Sequence, residues 1–159
     1  MPPTIRPARP DDAETIHRFI FELATYEGAP EAVEVTPAEL RAQLANATPP
    51  FECLLGELEG RPVGFAVFFP NYSTWRGRRG IYLEDLFVTE RYRGRGVGTA
   101  LLRAVARLAR VRGCARVEWA VLDWNEPAIG FYRGIGAIPL SEWTVYRLTD
   151  RALVALGGE

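Results

Sequence analysis

A run of three glycines after a β-rich segment is the part of the chain best suited to bind a phosphate. Arg93-Gly94-Arg95-Gly96-Val97-Gly98 lies between the β-rich residues 81–88 and the amphipathic residues 97–112, and so forms a strand-to-helix turn. Glycines let backbone N–H groups point into one concavity, and the first turn of a helix adds free donors and partial positive charge. This turn therefore predicts an anion site that needs no lysine.

Two common phosphate loops do not fit the spacing of this turn. A Walker loop needs Lys followed by Ser or Thr after its last glycine, whereas residues 97–100 read Val-Gly-Thr-Ala. A dinucleotide fingerprint needs its third glycine at position 99, which is Thr99. The pattern that fits is Arg-x-x-Gly-x-Gly followed by a helix. On this segment alone, an ordinary glycine-rich turn that caps a helix is the alternative interpretation.

The composition bounds the class of protein. A chain of 159 residues with 48% hydrophobic content has about the length of one domain. The net charge of −1 argues against a nucleic-acid partner, and the two cysteines and single histidine make a structural metal improbable. Cys53 and Cys114 are expected to be buried thiols in a reducing compartment. With neither an export signal nor a membrane span expected, the sequence predicts a cytoplasmic location.

Hydrophobic periodicity predicts alternating strands and helices. The expected strands are residues 4–6, 51–58, 63–69, 81–88, 116–121, 137–140 and 143–148, with a tight turn at 59–62. The expected helices begin at residues 10–12, at Pro37 with Thr36 as N-cap, at about 96 and at about 126. The strands 51–58, 63–69 and 81–88 should form an antiparallel meander within an α/β domain.

Three segments together resemble the GNAT superfamily of N-acetyltransferases. The turn at 93–98 is similar to the loop whose backbone amides hold the pyrophosphate of acetyl-CoA. Residues 124–137, Trp-Asn-Glu-Pro-Ala-Ile-Gly-Phe-Tyr through Gly-Ile-Gly-Ala, resemble the second signature of that superfamily. Residues 82–88, Tyr-Leu-Glu-Asp-Leu-Phe-Val, together with 5–8, 11–12 and 24–27, look like the spermidine/spermine, or diamine and thialysine, branch.

The resemblance implies a fold and an activity. The fold would be a single GNAT domain over residues 1–159, with a mixed, mostly antiparallel central sheet flanked by helices on both faces. The reaction would be acetyl transfer from acetyl-CoA to a primary amine of a small polyamine, diamine or diamino acid, with no metal, no nucleic acid and no membrane. A homodimer is expected from the family.

Two side chains carry the implied chemistry. An alkyl amine with pKa about 10.4 is neutral in only about one molecule in 2,500 at pH 7, which favours a carboxylate near the amine. Alternation along a strand sends Glu84 and Asp85 to opposite faces, and the resemblance assigns Glu84 as the water-mediated base. A carboxylate that only pairs with an arginine at a strand end is the alternative. Tyr132 matches the tyrosine that protonates the departing thiolate, although Tyr132 as plain core is the alternative.

The remaining site residues are implied by the same resemblance. The backbone of Leu86, Phe87 and Val88 would be freed by a bulge and would stabilise the thioester oxygen. The expected cofactor ligands are Leu86, Phe87, Val88, Arg93, Gly94, Arg95, Gly96, Val97, Gly98, Thr99, Asn125 and Tyr132. The expected acceptor ligands are Tyr26, Glu27, Glu84, Asp85, Trp124 and Glu142.

Several alternatives stay open at the level of sequence. Arg76, Arg78 and Arg79 precede the catalytic strand, and they could bind the acidic part of an amino acid, contact the 3′-phosphate of CoA or be solvated. The acceptor could be another amine, such as a protein lysine or an antibiotic. A non-catalytic acyl-CoA-binding or anion-binding module, which could contact RNA, is a third reading. The presence of both Glu84 and Tyr132 speaks against that third reading.

Overall fold

The computed structural model describes residues 1–158. Contacts within the chain divide it into two compact units, Met1–Ala120 and the segment that begins at Val121. Each unit has its own elements and is described by itself. The single domain over residues 1–159 stays a prediction, and Glu159 lies outside the described residues.

The first unit is built on one mixed sheet. Its order is β1-β2-β3-β4-β5, in which the first four strands are antiparallel neighbours and β5 runs parallel to β4. The strands are β1 Thr4–Pro7, β2 Glu52–Leu58, β3 Arg61–Ser73, β4 Arg78–Val88 and β5 Val117–Glu118. The predicted antiparallel meander is therefore confirmed.

Two details of the meander differ from the sequence prediction. The turn between β2 and β3 contains only Glu59 and Gly60, at φ 51° and 76°, so Arg61 and Pro62 already belong to β3. Positive φ at both central residues matches the twist of a two-residue hairpin. The strands β3 and β4 also extend beyond the predicted residues 63–69 and 81–88, because the pairing between them continues to Ser73 and Arg78.

Three helices cover the two faces of this sheet. They are α1 Ala13–Tyr26, α2 Pro37–Ala45 and α3 Val97–Val111. The hydroxyl of Thr36 accepts a hydrogen bond from the N–H of Glu39 at 3.2 Å, which is the predicted N-cap of α2. A short 3-10 turn, Pro10–Asp12, precedes α1.

Alternation along β2 separates the two layers. Cys53 and Leu55 belong to a core cluster that α1 supplies through Ile16 and Phe19. On the opposite face, a Cβ placed on Gly56 would lie 2.7 Å from a methyl of Val97 in α3. Only glycine fits there, and α3 consequently packs directly on the backbone of β2. Helices on both faces of a mixed sheet confirm the predicted fold class.

Over the described residues of the second unit, the regular elements are helices joined by loops. It contains α4 Glu126–Gly134, as predicted, and α5 Asp150–Gly157 in the tail. The predicted strands 137–140 and 143–148 are wrong, and the predicted strand 116–121 is reduced to β5. Residues with a high strand propensity form no β-ladder unless the edge of another strand is available for pairing. Pro139 also has no N–H to donate to such a ladder.

Candidate active site

The glycine turn has the geometry of an anion-binding backbone. Gly94 and Gly96 adopt φ of 78° and 82°, a left-handed conformation that glycine reaches without strain. Gly96 is the N-cap of α3, and its carbonyl accepts from the N–H of Ala100 at 3.0 Å. The N–H groups of the first helical turn have no partner within the helix. A Cβ at Gly94 or Gly96 would meet no protein atom within 4 Å, so the turn has open space around it.

The side chain of Arg93 contacts other residues of the protein. Its Nε donates to the carbonyl of Val88 at 2.9 Å, and its guanidinium lies 5.0 Å from the ring centroid of Tyr26 and 5.3 Å from that of Phe87. Arg93 thus joins the end of α1 to the end of β4. A phosphate at the turn would meet the backbone of Arg93 rather than its guanidinium.

A β-bulge interrupts β4 at Glu84. Val67 pairs with Asp85 and the next residue, Phe68, pairs with Leu83, which leaves Glu84 as the extra residue. Directly paired residues share a face of the sheet, so Leu83 and Asp85 lie on opposite faces although they are two positions apart. The regular alternation of side chains between the two faces of β4 is therefore interrupted at Glu84. The prediction that Glu84 and Asp85 point to opposite faces assumed this alternation and no longer follows.

Asp85 lies on the face of the sheet that α1 covers. Cys53, Val67 and Asp85 form one row across β2, β3 and β4, and Cys53 and Val67 belong to the core cluster under α1. Burial, the charge of Glu84 and the charge of Glu27 raise the pKa of Asp85 to about 7. Burial is also the largest cause that raises the pKa of the Cys53 thiol, to about 12. Asp85 is therefore a carboxyl at the edge of an apolar layer.

The end of α1 supplies two predicted acceptor ligands to this region. Tyr26 is the last residue of α1, and Glu27 follows it as C-cap, with its N–H bonded to the carbonyl of Leu23 at 2.9 Å. Burial raises the pKa of Glu27. The structure thus brings Glu27, Glu84 and Asp85 together at the end of α1. Three carboxyl groups so placed form a strongly negative surface that suits an alkyl ammonium.

Two residues that the sequence analysis did not select extend this surface. The ring of Tyr82 lies 5.5 Å from that of Phe69, and burial, Glu84 and Glu118 raise the pKa of Tyr82. Tyr82 pairs with Glu118 across the parallel β4–β5 ladder, and the side-chain amide of Asn71 donates to Glu118 at 3.2 Å. An acidic residue on the strand that follows a crossover helix is the signal that could have identified Glu118.

Leu86, Phe87 and Val88, whose backbone was predicted to stabilise the thioester oxygen, lie after the bulge and not within it. On one side they pair in register with β3, as Leu86 with Ala66, Phe87 with Phe65 and Val88 with Gly64. On the other side β5 pairs with β4 through Ile81 and Tyr82 and goes no further. The bulge that the resemblance implied is present, two residues before Leu86. The role of these backbone groups stays a prediction.

Within the second unit, α4 holds two predicted residues. The side-chain oxygen of Asn125 accepts from the N–H of Ala128 at 3.5 Å, which makes Asn125 the N-cap of α4. Tyr132 lies in the last turn, with its ring centroid 5.7 Å from that of Phe131. Gly136 follows at φ 89° and closes the helix.

The other two predicted ligands of this unit lie outside helices. Trp124 immediately precedes the N-cap of α4 and is half exposed. Glu142 lies in a turn that the N–H of Trp143 closes by donating to the carbonyl of Leu140 at 3.1 Å. Both residues are on loop backbone.

The three arginines that the sequence analysis placed before the strand 81–88 lie at the tip of the β3–β4 hairpin, and Arg78 and Arg79 already belong to β4. The hydroxyl of Ser73 accepts from the N–H of Arg76 at 3.1 Å, and Gly77 turns the chain at φ 63°. Arg76, Arg78 and Arg79 are all exposed. Their guanidinium groups are therefore accessible to solvent.

Comparison with known proteins gives the family. The model of the Acetyltransferase (GNAT) family matches residues 15–137. The chain belongs to the GNAT acetyltransferases. It is 38% identical to the thialysine N-epsilon-acetyltransferase of Bos taurus, over 98% of this chain and 97% of that protein. It is 33% identical to the L-ornithine N5-acetyltransferase of Arabidopsis thaliana, over 96% and 86%. This GNAT protein is accordingly an acetyltransferase that acts on amines.

Solved structures support the fold of this GNAT protein. A Vibrio cholerae integron cassette protein superposes with a TM-score of 0.81 at 24% identity, over 100% of this chain and 99% of that one. An aminoglycoside acetyltransferase from an uncultured soil metagenomic sample superposes with a TM-score of 0.75 at 21% identity, over 94% and 99%. At these identities the likeness concerns the fold alone.

Two features are absent from residues 1–158. Residues 1–158 contain no cluster of His, Cys, Asp and Glu able to hold a metal ion. Over the same residues, none of the helices has the length and apolar character needed to cross a membrane.

Proposed function

We propose that this protein transfers the acetyl group of acetyl-CoA to a primary amine of a small diamine, polyamine or diamino acid. The observation that carries the proposal is the convergence of Glu27, Glu84 and Asp85 on the strand that leads into the glycine turn. The relatives named for thialysine, L-ornithine and spermidine/spermine support the same class of acceptor. A group of carboxylates favours such ligands because each carries more than one ammonium group.

The cofactor side of the proposed site is made mostly of backbone. The N–H groups of residues 94–99 bind the pyrophosphate, where the left-handed glycines and the start of α3 direct them to one side. The backbone of Leu86, Phe87 and Val88 donates to the thioester oxygen as charge develops on it. Asn125 fixes the start of α4, the helix that carries Tyr132.

The acceptor side is made of side chains. Glu27, Glu84 and Asp85 bind the ammonium groups, and Glu84 is the base assigned by resemblance. The same resemblance assigns Tyr26, Trp124 and Glu142 as acceptor ligands. Tyr132 donates a proton to the departing thiolate, since a phenol of pKa about 10 stays protonated at neutral pH. Direct transfer between bound reactants needs no covalent enzyme intermediate.

Location and assembly belong to the same proposal. We propose a cytoplasmic homodimer, on the strength of the family resemblance and the need for acetyl-CoA. Sedimentation equilibrium of the purified protein tests the assembly, and a mass of one chain at micromolar concentration would contradict it.

A thiol-release assay tests the proposed reaction. Acetyl-CoA is offered with spermidine, spermine, putrescine, lysine, thialysine, L-ornithine, an aminoglycoside or a lysine peptide. We expect turnover confined to the small diamines, polyamines and diamino acids. Tyr132→Phe should reduce kcat by about 100-fold, the scale of one general acid. Tyr146→Phe is the matched control. Acetyl-CoA binding without turnover on any amine would overturn the proposal.

A further inference from the structure

We infer that Glu22 and Thr89 are positioning residues for the amine acceptor. A hydrogen bond between their side chains fixes the last turns of α1 against the end of β4, and so sets the place of Tyr26 and Glu27. The inference rests on the proposed function, in which Tyr26 and Glu27 are ligands of the amine. Glu22 and Thr89 contact no reactant themselves and act through the end of the helix.

The bond between Glu22 and Thr89 joins two elements that are far apart in the sequence. The hydroxyl of Thr89, the residue after β4, donates to the carboxylate of Glu22 at 2.8 Å. The guanidinium of Arg18, one turn earlier on α1, lies 3.6 Å from the same carboxylate. The side chain of Glu22 is 31% exposed, so the carboxylate is partly shielded from water. Hydrogen bonds to an ionised acceptor are stronger than neutral ones, and this one is a firm link between α1 and the sheet.

The backbone of Thr89 is itself fixed to the sheet. Its N–H donates to the carbonyl of Val63 in β3 at 2.9 Å, and its carbonyl accepts from the N–H of Tyr92 at the same distance. The second bond closes the 3-10 turn Glu90–Tyr92, of which Thr89 is the N-cap. Val63 is almost completely buried. The hydroxyl of Thr89 therefore starts from a fixed point, and the element that its bond holds in place is α1.

The end of α1 depends on such a bond more than its start does. The fully buried residues of the helix, Ala13, Ile16 and Phe19, all lie in its first half. Tyr26, the last residue, is 38% exposed. Segments with few buried apolar contacts open more readily than the core. Apolar packing thus fixes the start of α1 more firmly than the end that carries the proposed amine ligands.

A second contact acts on the same side of the helix. Glu22 and Tyr26 are four positions apart, so their side chains share one face of α1. The guanidinium of Arg93 lies 5.0 Å from the ring centroid of Tyr26, and its Nε is bonded to the backbone of β4. The two contacts hold successive turns of α1 against residues 88–93. Loss of the bond from Thr89 removes one of them and lets the end of the helix move.

Such a movement should change the KM of the amine and not kcat. In the proposed reaction the end of α1 carries ligands of the amine, whereas the base and the acid lie on other elements. A contact that binds substrate and transition state equally well lowers KM without raising kcat. A merely structural role has the opposite signature, because a smaller folded fraction lowers the apparent kcat and leaves KM as it was.

Steady-state kinetics with the best amine of the thiol-release panel test the role of Thr89. Thr89→Val removes the hydroxyl and keeps the shape, and we expect the KM of the amine to rise about tenfold with kcat changed by less than about twofold. Thr89→Ser retains a hydroxyl and should keep KM within about twofold of wild type. Thr25→Val is the matched control, because the hydroxyl of Thr25 bonds to the carbonyl of Phe21 within α1 at 2.8 Å. It should leave KM near the wild-type value.

Variants of Glu22 test the other end of the bond. Glu22→Gln keeps an oxygen that accepts from Thr89 and should raise KM by less than about threefold, whereas Glu22→Leu should raise it about tenfold. The double variant Glu22→Leu with Thr89→Val should also raise KM about tenfold, because both changes remove the same bond. The Kd of acetyl-CoA should stay within about twofold in each variant, since the backbone bonds of Thr89 remain, and it shows that the variant is folded.

The outcomes separate this inference from the proposed function. If the wild-type protein releases thiol with a small amine and Thr89→Val leaves KM unchanged, the inference is wrong and the proposed function stands. A KM that rises about 100-fold in the double variant would also overturn the inference, because the two residues would then act independently. If the wild-type protein releases no thiol with any amine of the panel, the proposed function fails and the inference fails with it.

Discussion

The glycine turn and the acidic end of β4 lie close together in sequence, yet they are built on opposite principles. The turn at residues 93–98 offers backbone N–H groups, and its glycines matter because of their φ angles. The acidic end offers carboxyl groups, and a single bulge at Glu84 sets where they lie. A backbone site tolerates changes of side chain but not of backbone conformation, whereas a site made of side chains depends on both.

Replacement of both turn glycines should have the largest effect. Gly94→Val together with Gly96→Val forces β-branched residues into the left-handed region, at about 1–2 kcal/mol each. We expect the Kd of acetyl-CoA to rise by about 100-fold in calorimetry. Gly113→Val, at φ 70° after α3, carries the same strain away from the turn and is the matched control. Equal losses of affinity in both proteins would show that backbone strain acts through overall stability.

The Arg93→Gln variant tests a residue that lies between the glycine turn and the acidic end of β4. The guanidinium stacks on Tyr26 and Phe87, so its loss should loosen the end of α1, at about 1 kcal/mol. We expect the KM of the amine to rise about fivefold, a change of that size, while the Kd of acetyl-CoA changes by less than about twofold. Arg91→Gln, an arginine over the Tyr92 ring, is the control. A larger effect on acetyl-CoA than on the amine would mean that the Arg93 side chain binds phosphate.

The smallest effect concerns stability as a function of pH. The pKa of Asp85 rises from 3.8 to about 7 on folding, so the folded state binds this proton more tightly. The resulting stabilisation is complete below about pH 4 and is lost as pH rises through about 7. Asp85→Asn should therefore raise Tm by about 3 °C at about pH 8 and by much less at about pH 4. An equal shift at both pH values in scanning calorimetry would contradict the assignment.

The sequence predicted most of the fold because its signals were local. The cap at Thr36, the turn before α3 and the apolar spacing of α1 each depend on a few neighbouring residues. The strands expected at 137–140 and 143–148 depended on a partner edge that no local pattern specifies. The same residues that favour strands elsewhere form no ladder within the second unit.

The sequence selected residues for the candidate site but not their geometry. The sequence identified Glu27, Glu84 and Asp85, yet strict alternation assigned the last two to opposite faces. A bulge is set by register across the sheet, so it is invisible in the strand's own sequence. Glu118 was missed for a related reason, because the short parallel pairing of β5 brings it beside Tyr82 only in three dimensions.

Because Cys53 is buried, its thiol is unreactive at neutral pH. A thiol whose pKa is raised to about 12 has almost no thiolate at neutral pH, and thiolate is the form that oxidants and alkylating reagents attack. Cys114, which is only half-buried, is the thiol that such reagents reach first. Oxidative damage to this protein should therefore begin at the end of α3 and spare the core row that Cys53 shares with Asp85.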